Sequence, residues 1–207
     1  MCRLVLPRGN RPVIRLVKEE VIMLLGYLVS VLPYVAGISA VIYLPYYLYS
    51  NRRYGRQTFL HHLVRYGFVG FCLSLVYLTL LWYYPYLTFR PDCYFLNLRP
   101  FMWMKETYIM GTKKMAEQLI LNIGMFVPYG LLLPMAVQKT RKLWKAMIVV
   151  LCTTLAIETI QYFMGRSADI DDVIMNALGG LLGYGIFGLL RRVFSTRTWW
   201  KNMIGRR

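Results

Sequence analysis

The residues best suited to chemistry lie in one short segment, Glu158–Tyr184, where two otherwise apolar helices are predicted to meet. Its polar members are Glu158, Gln161, Arg166, Ser167, Asp169, Asp171, Asp172 and Asn176. Ionisable side chains at the edge of hydrocarbon are costly, so they usually mark a functional site or a buried polar network. Grouped carboxylates could hold Mg²⁺ or Ca²⁺, divide acid and base roles, or bind a polar ligand. The segment therefore predicts a binding or catalytic site.

Simpler roles for the same residues stay open. Asp169 or Asp171 could cap the helix that follows, because a carboxylate at a helix start accepts hydrogen bonds from free N–H groups. Arg166 could pair with Asp169 across one turn. Gly179 and Gly183, four residues apart, favour close helix packing in lipid, with Gly180 and Gly188 as neighbours in the contact. On this hypothesis the polar groups form a network that only fixes the helix register.

The composition predicts a membrane protein. Of the 207 residues, 57% are hydrophobic, and they are concentrated in runs of about 20 residues, the length that crosses a hydrocarbon core about 30 Å thick. The chain has 25 basic and 9 acidic residues, with the basic ones mostly between the apolar runs. This placement is typical of loops that face anionic lipid, and it argues against nucleic acid as a partner. The four cysteines contain no CxxC pair, so neither a zinc site nor a disulfide framework is predicted.

The apolar runs predict an all-α, multi-pass transmembrane bundle of about five helices. The first helix is expected to be long, and Pro33 could kink it. The expected spans cover residues 21–49, 66–87, 119–137, 144–163 and 172–190.

The basic segments predict how the chain is organised and oriented. A basic N-terminal segment (1–20) precedes a first membrane segment with a basic loop (21–65), and a basic tail (191–207) follows the last span. This tail and the 139–145 turn are predicted to be cytoplasmic, which places the 164–172 connection outside. Five single crossings would put residues 1–20 outside against the same rule. The topology of residues 1–50 therefore stays open between one crossing and a helical hairpin.

Alternating helices should bring the polar groups to one end of the bundle. Asn122 begins the third span, Glu158 and Gln161 end the fourth, and Asp172 and Asn176 begin the fifth. Because consecutive spans run in opposite directions, these ends share one interface, and Asp172 and Asn176 share a helix face. No catalytic residue is assigned, and no metal or cofactor is predicted. The predicted ligand-binding set is Arg99, Asn122, Glu158, Gln161, Arg166, Asp169, Asp172 and Asn176.

Four ordered motifs resemble the VanZ-like family of bacterial membrane proteins. They are N-L-R-P-F at Asn97–Phe101, N-I-G-M-F-V-P-Y-G-L-L-L-P at Asn122–Pro134, E-T-I-Q at Glu158–Gln161, and G-R-S-A-D-I-D-D-V-I-M-N-A-L-G-G-L-L-G-Y at Gly165–Tyr184. They make residues 66–190 a VanZ-like helical domain. The resemblance implies a multi-pass protein of the bacterial cytoplasmic membrane. Its namesake is associated with low-level resistance to the glycopeptide teicoplanin. The resemblance does not assign a reaction to the chain.

Several functions remain open at this point. The first is binding of an amphiphilic envelope molecule, such as a lipid-linked precursor or a lipoglycopeptide, at an outward-facing polar site among membrane lipids. The second is a metal-assisted membrane enzyme acting on a lipid-linked phosphate, and the third is a purely structural network. Transport by this chain alone is disfavoured, because the polar groups crowd one interface and do not continue across the bilayer. The sequence leaves the ligand, any enzymatic activity and the oligomeric state open.

Overall fold

The computed structural model describes Gly26 and residues 29–81, 96–102 and 112–205. Six α-helices and one pair of short strands make up this part of the chain. In order they are α1 (Leu32–Tyr54), α2 (Phe59–Val76, continued by a π-helical turn, Tyr77–Leu81), β1 (Leu96–Asn97), α3 (Thr112–Ala136), α4 (Leu143–Phe163), β2 (Ala168–Asp169), α5 (Ile170–Phe194) and α6 (Thr198–Ile204). The predicted helical bundle is confirmed. The predicted N-terminal segment, residues 1–20, lies outside the described residues.

Among the described residues, four stretches are long and apolar enough to cross a membrane, so the chain is a membrane protein. They match the second to fifth expected spans and cover Phe59–Leu81, Leu119–Ala136, Leu143–Phe163 and Ile170–Phe194. Two helices begin earlier than the sequence predicted: α2 starts at Phe59 and not at Tyr66, and α3 starts at Thr112 and not at Leu119. The first turns of a helix can extend beyond the hydrocarbon and carry charged and polar side chains. Hydropathy alone assigns these turns to a loop.

Helix α1 covers part of the expected first span, residues 21–49, whose beginning lies outside the described residues. Residues up to Ile38 and residues from Ser39 belong to two separate compact units. A turn at Val31 precedes α1, and the Val35 amide donates to the Val31 carbonyl at 3.0 Å. Pro33 lies in the first turn of α1. Proline is tolerated there, because the N–H groups of the first turn have no acceptor within the helix. Helix α1 thus begins beside Pro33.

Helices α3 and α5 pack backbone to backbone along a glycine seam. The seam consists of Gly130 on α3 and Gly179, Gly180 and Gly183 on α5. A Cβ on Gly130 would overlap the Gly180 carbonyl oxygen, and the other seam glycines are similarly crowded by Ile123, Val150 and Val127. In lipid, where apolar surface gains little by leaving the solvent, such close approach is a main source of helix association. Gly188, expected to take part, has open space around its Cα and does not.

Of the basic segments, those that the structure describes between α1 and α2, between α3 and α4 and after α5 meet at one end of the bundle, which we call the basic end. The Thr58 hydroxyl, between α1 and α2, donates to the Asn202 carbonyl of α6 at 3.0 Å. Arg141, in a 3₁₀ turn between α3 and α4, donates to the Ile204 carbonyl. Trp200 of α6 is 2% exposed and packs beside Phe187 of α5. The α1–α2 connection, the α3–α4 turn and the C-terminal helix therefore share one end.

Candidate functional site

A two-stranded parallel ladder closes the other end of the bundle. Leu96 pairs with Ala168, and Asn97 pairs with Asp169. The ladder joins the N-L-R-P-F loop to the connection that leads into α5. Nothing in the hydropathy pattern predicted it, because each strand is only two residues long.

Two carboxylates hold this loop in place. The Asn97 Nδ2 donates to both carboxylate oxygens of Asp169, at 3.1 and 3.2 Å. The Asp169 carboxylate also accepts from the Asp171 amide at 2.8 Å, so Asp169 is the N-cap of α5, as one of the sequence hypotheses allowed. Asp171 accepts from the Phe101 amide at 2.6 Å, and Phe101 has a φ of 65°. Asp169 and Asp171 thus fix both the start of α5 and the path of the loop.

Helices α3, α4 and α5 bring three predicted residues together. The Asn122 side-chain amide on α3 donates to the Asp172 carboxylate on α5. The Glu158 carboxylate on α4 accepts from the Asp169 amide at 3.3 Å and is 6% exposed. Glu158 also interacts electrostatically with Asp172 and Arg166. Two acids and one guanidinium therefore share a small, largely buried space.

A fourth helix contributes a backbone acceptor that the sequence did not reveal. The Thr79 carbonyl, in the π-helical turn that ends α2, accepts from Gln161 Nε2 and from the Arg166 guanidinium, both at 2.9 Å. A π-helical turn departs from the regular i→i−4 ladder, and such turns are frequent at functional sites. In the sequence this site appears as a single threonine in an apolar run, and a threonine does not predict a π-helical turn. We call Thr79 and the predicted residues around it the polar layer: Thr79, Asn122, Glu158, Gln161, Arg166, Asp169 and Asp172.

Asn176 lies one turn below the polar layer, and Arg99 lies apart from it. Asn176 is 4% exposed and donates to the Thr154 hydroxyl at 2.9 Å, while its Oδ1 has no hydrogen-bond partner among the described residues. Arg99 is exposed, and its backbone amide donates to Asn97 Oδ1 at 3.1 Å. No bond of its guanidinium to another described residue is seen. Asn176 therefore joins α5 to α4 beneath the polar layer, and Arg99 stays on the loop.

An apolar groove of about 320 Å³ lies between α2 and α3. Leu78 and Leu121 line it, and each directly precedes a residue of the polar layer, Thr79 and Asn122. The groove is also lined by Phe71, Leu75, Gly124 and Pro128. An apolar surface thus lies on the two helices that supply Thr79 and Asn122 to the polar layer.

The acids of the polar layer are held by amides and backbone N–H groups. In the part of the chain that the structure describes, no three His, Cys, Asp or Glu side chains are grouped so that they could hold a metal ion. The geometry suits hydrogen bonding and charge pairing with a polar group.

Comparison with known proteins agrees with the motifs. The family model described as VanZ/LLP1 matches residues 68–191, more than half of the chain. Protein VanZ of Enterococcus faecium is 39% identical over 74 residues, which cover 35% of this chain and 45% of that relative. The chain thus spans less than half the length of this curated relative. No solved structure gives a significant match. The chain belongs to the VanZ/LLP1 family of proteins.

Proposed function

We propose that the protein binds an amphiphilic cell-envelope molecule at the polar layer, with the apolar chain of the ligand in the adjoining groove. A lipid-linked envelope precursor and a lipoglycopeptide of the teicoplanin type both have this chemistry. The resemblance to the VanZ-like family motivates a role in glycopeptide resistance, with which the namesake of the family is associated. The proposal extends that role to this chain.

One observation carries the proposal: the groove lies between α2 and α3, the same two helices that supply Thr79 and Asn122 to the polar layer. A ligand with a polar head and an acyl or prenyl chain needs hydrogen-bonding groups beside an apolar channel. Arg166 supplies a cation for a phosphate or carboxylate, and Glu158 and Asp172 can accept from hydroxyl or amide groups. The exposed Arg99 is placed on the loop above, where it can reach a large head group.

The groove offers a sharp test, because one of its residues can be enlarged without a clash. A Cβ on Gly124 meets nothing within 4 Å, so Gly124→Leu should fill the groove and leave the fold intact. Gly188 has equally open surroundings and lies outside the groove, so Gly188→Leu is the matched control. Binding of teicoplanin to purified protein should fall in Gly124→Leu and persist in Gly188→Leu. If the wild-type protein binds teicoplanin and a deacylated form of teicoplanin with equal affinity, the groove does not hold the acyl chain.

The polar layer is tested by near-isosteric substitutions. Glu158→Gln and Asp172→Asn remove charge and keep shape, so a binding site should lose ligand affinity at normal membrane abundance. Antibiotic tolerance of cells that carry each variant gives the second measurement. If tolerance falls only in proportion to abundance, the layer is a structural element and the binding proposal fails.

A purely structural network is the second candidate, and specific contacts favour it. The pairing of Asn97 with Asp169 and of Asp171 with Phe101 uses two of the acids to hold a loop. Asn97→Ala should therefore lower abundance as strongly as it lowers tolerance. Ligand-dependent protection of the 96–102 loop in wild type would favour binding instead.

We propose further that the protein is in the bacterial plasma membrane with its basic end and C-terminus in the cytoplasm. The clustering of the described basic segments at one end supports this orientation through their attraction to anionic lipid. Ser167 and Lys142 are both exposed and lie at opposite ends of α4. In intact cells, and in a protein whose four native cysteines are replaced by serine, an impermeant maleimide should label Ser167→Cys and should label Lys142→Cys only after permeabilisation. The reverse pattern would invert the topology.

A further inference from the structure

The basic end contains a second pocket, separate from the polar layer. It lies between α1 and α2 and has a volume of about 510 Å³. Tyr43, Tyr47, Tyr66 and His62 form much of its wall, and Arg56 lies at its edge in the α1–α2 connection. We call it the tyrosine pocket.

Hydrogen bonds hold the wall of this pocket in one arrangement. The Tyr43 hydroxyl and His62 Nδ1 are 2.8 Å apart, and His62 Nε2 and Asn51 Oδ1 are 3.3 Å apart. The Tyr47 and His62 rings are in edge contact, with centroids 4.7 Å apart. Gln57 is held by the Tyr54 and Gly55 carbonyls. Because these groups satisfy one another, the pocket is formed before any ligand arrives.

The charge of the pocket favours an anion. Arg56 is exposed and forms no hydrogen bond or ion pair with any other residue that the structure describes. Arg65 lies behind the wall and interacts electrostatically with Tyr43 and His62. No acidic residue occurs between Val21 and Pro91 or after Asp172. Carboxylates of the described chain therefore do not neutralise the cations at this end.

The position of the pocket favours a lipid as the source of the anion. The pocket lies at the start of the apolar stretch Phe59–Leu81, which is the depth of a membrane interface. Phe59 and Leu63 line it, are 76% and 47% exposed, and are four residues apart on one face of α2. A head group near Arg56 would therefore be followed by an apolar surface on which an acyl chain can lie. Basic pockets between transmembrane helices are a known setting for acidic lipid head groups.

We propose that the tyrosine pocket binds the phosphate head group of an acidic glycerophospholipid from the adjacent leaflet. The phosphodiester accepts hydrogen bonds from the Arg56 guanidinium, the glycerol region lies against Tyr47 and Tyr66, and an acyl chain follows Phe59 and Leu63. This site is independent of the ligand proposed for the polar layer.

The test measures thermal stabilisation of the purified protein in detergent as phosphatidylglycerol or phosphatidylcholine is added. A ligand that binds only the folded state raises Tm in proportion to its occupancy. Phosphatidylglycerol should stabilise wild type more than phosphatidylcholine does. Arg56→Gln should weaken the apparent affinity for phosphatidylglycerol about tenfold, since one charge-assisted contact is lost, and Arg56→Lys should restore part of it.

Arg53→Gln is the matched control, because Arg53 is exposed at the end of α1 and does not line the pocket. It should keep the preference for phosphatidylglycerol. If Arg53→Gln weakens binding as much as Arg56→Gln, the attraction is a diffuse surface effect and the pocket is not a site. If glycerol 3-phosphate stabilises the protein as well as the lipid does, the ligand is a free phosphate and the lipid proposal is overturned. Gly124→Leu should not change either result.

Discussion

The two ends of the bundle differ in whether their charged groups are paired within the protein or exposed. At the polar layer, amides, backbone N–H groups and Arg166 surround the carboxylates of Glu158, Asp169 and Asp172. At the basic end, cations such as Arg53, Arg56 and Lys142 are exposed. Buried charges are tolerated only with close partners, whereas exposed charges need none. One end is therefore built from internal contacts, and the other is built to meet its surroundings.

The packing of α5 shows the same contrast. Near the polar layer its glycines are crowded by α3 and α4, and toward the basic end Gly185 and Gly188 have open space. Tight packing beneath the polar layer holds three helix ends at fixed separations, which hydrogen bonds such as that between Asn122 and Asp172 require. The basic end is instead closed by α6, with Trp200 as its buried anchor.

The largest effect is expected when the helices beneath the polar layer are forced apart. Gly130→Ala would place a methyl group in the Gly180 carbonyl, and rigid backbone can relieve this only by moving a helix. We expect a loss of stability of about 1–3 kcal/mol, the usual range for overpacking. Gly188→Ala, in open space, should leave stability unchanged or raise it by up to ~1 kcal/mol through helix propensity. Thermal unfolding in detergent compares the stabilities of the two variants. If both variants change stability equally, α3 and α5 are not in close contact at the glycine seam.

The second prediction concerns the loop at the polar end. Asp169→Ala removes the N-cap of α5 and the partner of Asn97, so we expect a loss of about 1–2 kcal/mol. Asp169→Asn should retain most of the stability, because asparagine caps helices nearly as well. Limited proteolysis of the 96–102 loop reports the local effect. If the two variants are cleaved at the same rate as wild type, Asp169 does not hold the loop.

A smaller effect is expected where two donors share one acceptor. Gln161→Leu removes one hydrogen bond to the Thr79 carbonyl, and Arg166 still donates to the same oxygen. The buried carbonyl therefore remains satisfied, and the expected loss is about 0.5–1.5 kcal/mol. Arg166→Leu serves as the comparison, because it also removes charge from beside Glu158 and should cost more. A larger loss in Gln161→Leu than in Arg166→Leu would reverse this ranking of the two donors.

The smallest effect is expected at the basic end. Arg53→Gln changes an exposed side chain, and its effect on stability should stay within about 0.5 kcal/mol. Unfolding temperature in a neutral detergent measures it without the contribution of anionic lipid. A loss comparable to that of Asp169→Ala would mean that the basic end, too, is held by internal charge contacts.

Much of the fold could be predicted because lipid constrains it strongly. A run of about 20 apolar residues has few structures open to it other than a spanning helix, so four spans and their order were readable from hydropathy. The ends of α2 and α3 were less readable, since polar side chains are compatible with both a helix end and a loop. The strand pair at Asn97 and Asp169 was hidden, because two residues carry no periodic signal. The N-L-R-P-F motif was visible in the sequence, but Arg99 was predicted as its ligand-binding residue. In the structure Arg99 is exposed, and Asn97 makes the contact with α5.

The sequence by itself determined that the chain spans a membrane, belongs with VanZ-like proteins, and carries its acids near the ends of successive helices. Alternation of direction then leaves only one end where Asn122, Glu158 and Asp172 can lie. The tertiary structure alone decided which groups these residues bond. A π-helical turn exposes the Thr79 carbonyl to Gln161 and Arg166, and the loop from Asn97 folds back onto α5. Such contacts depend on backbone geometry and distances between segments far apart in the chain, which residue types and spacing do not encode.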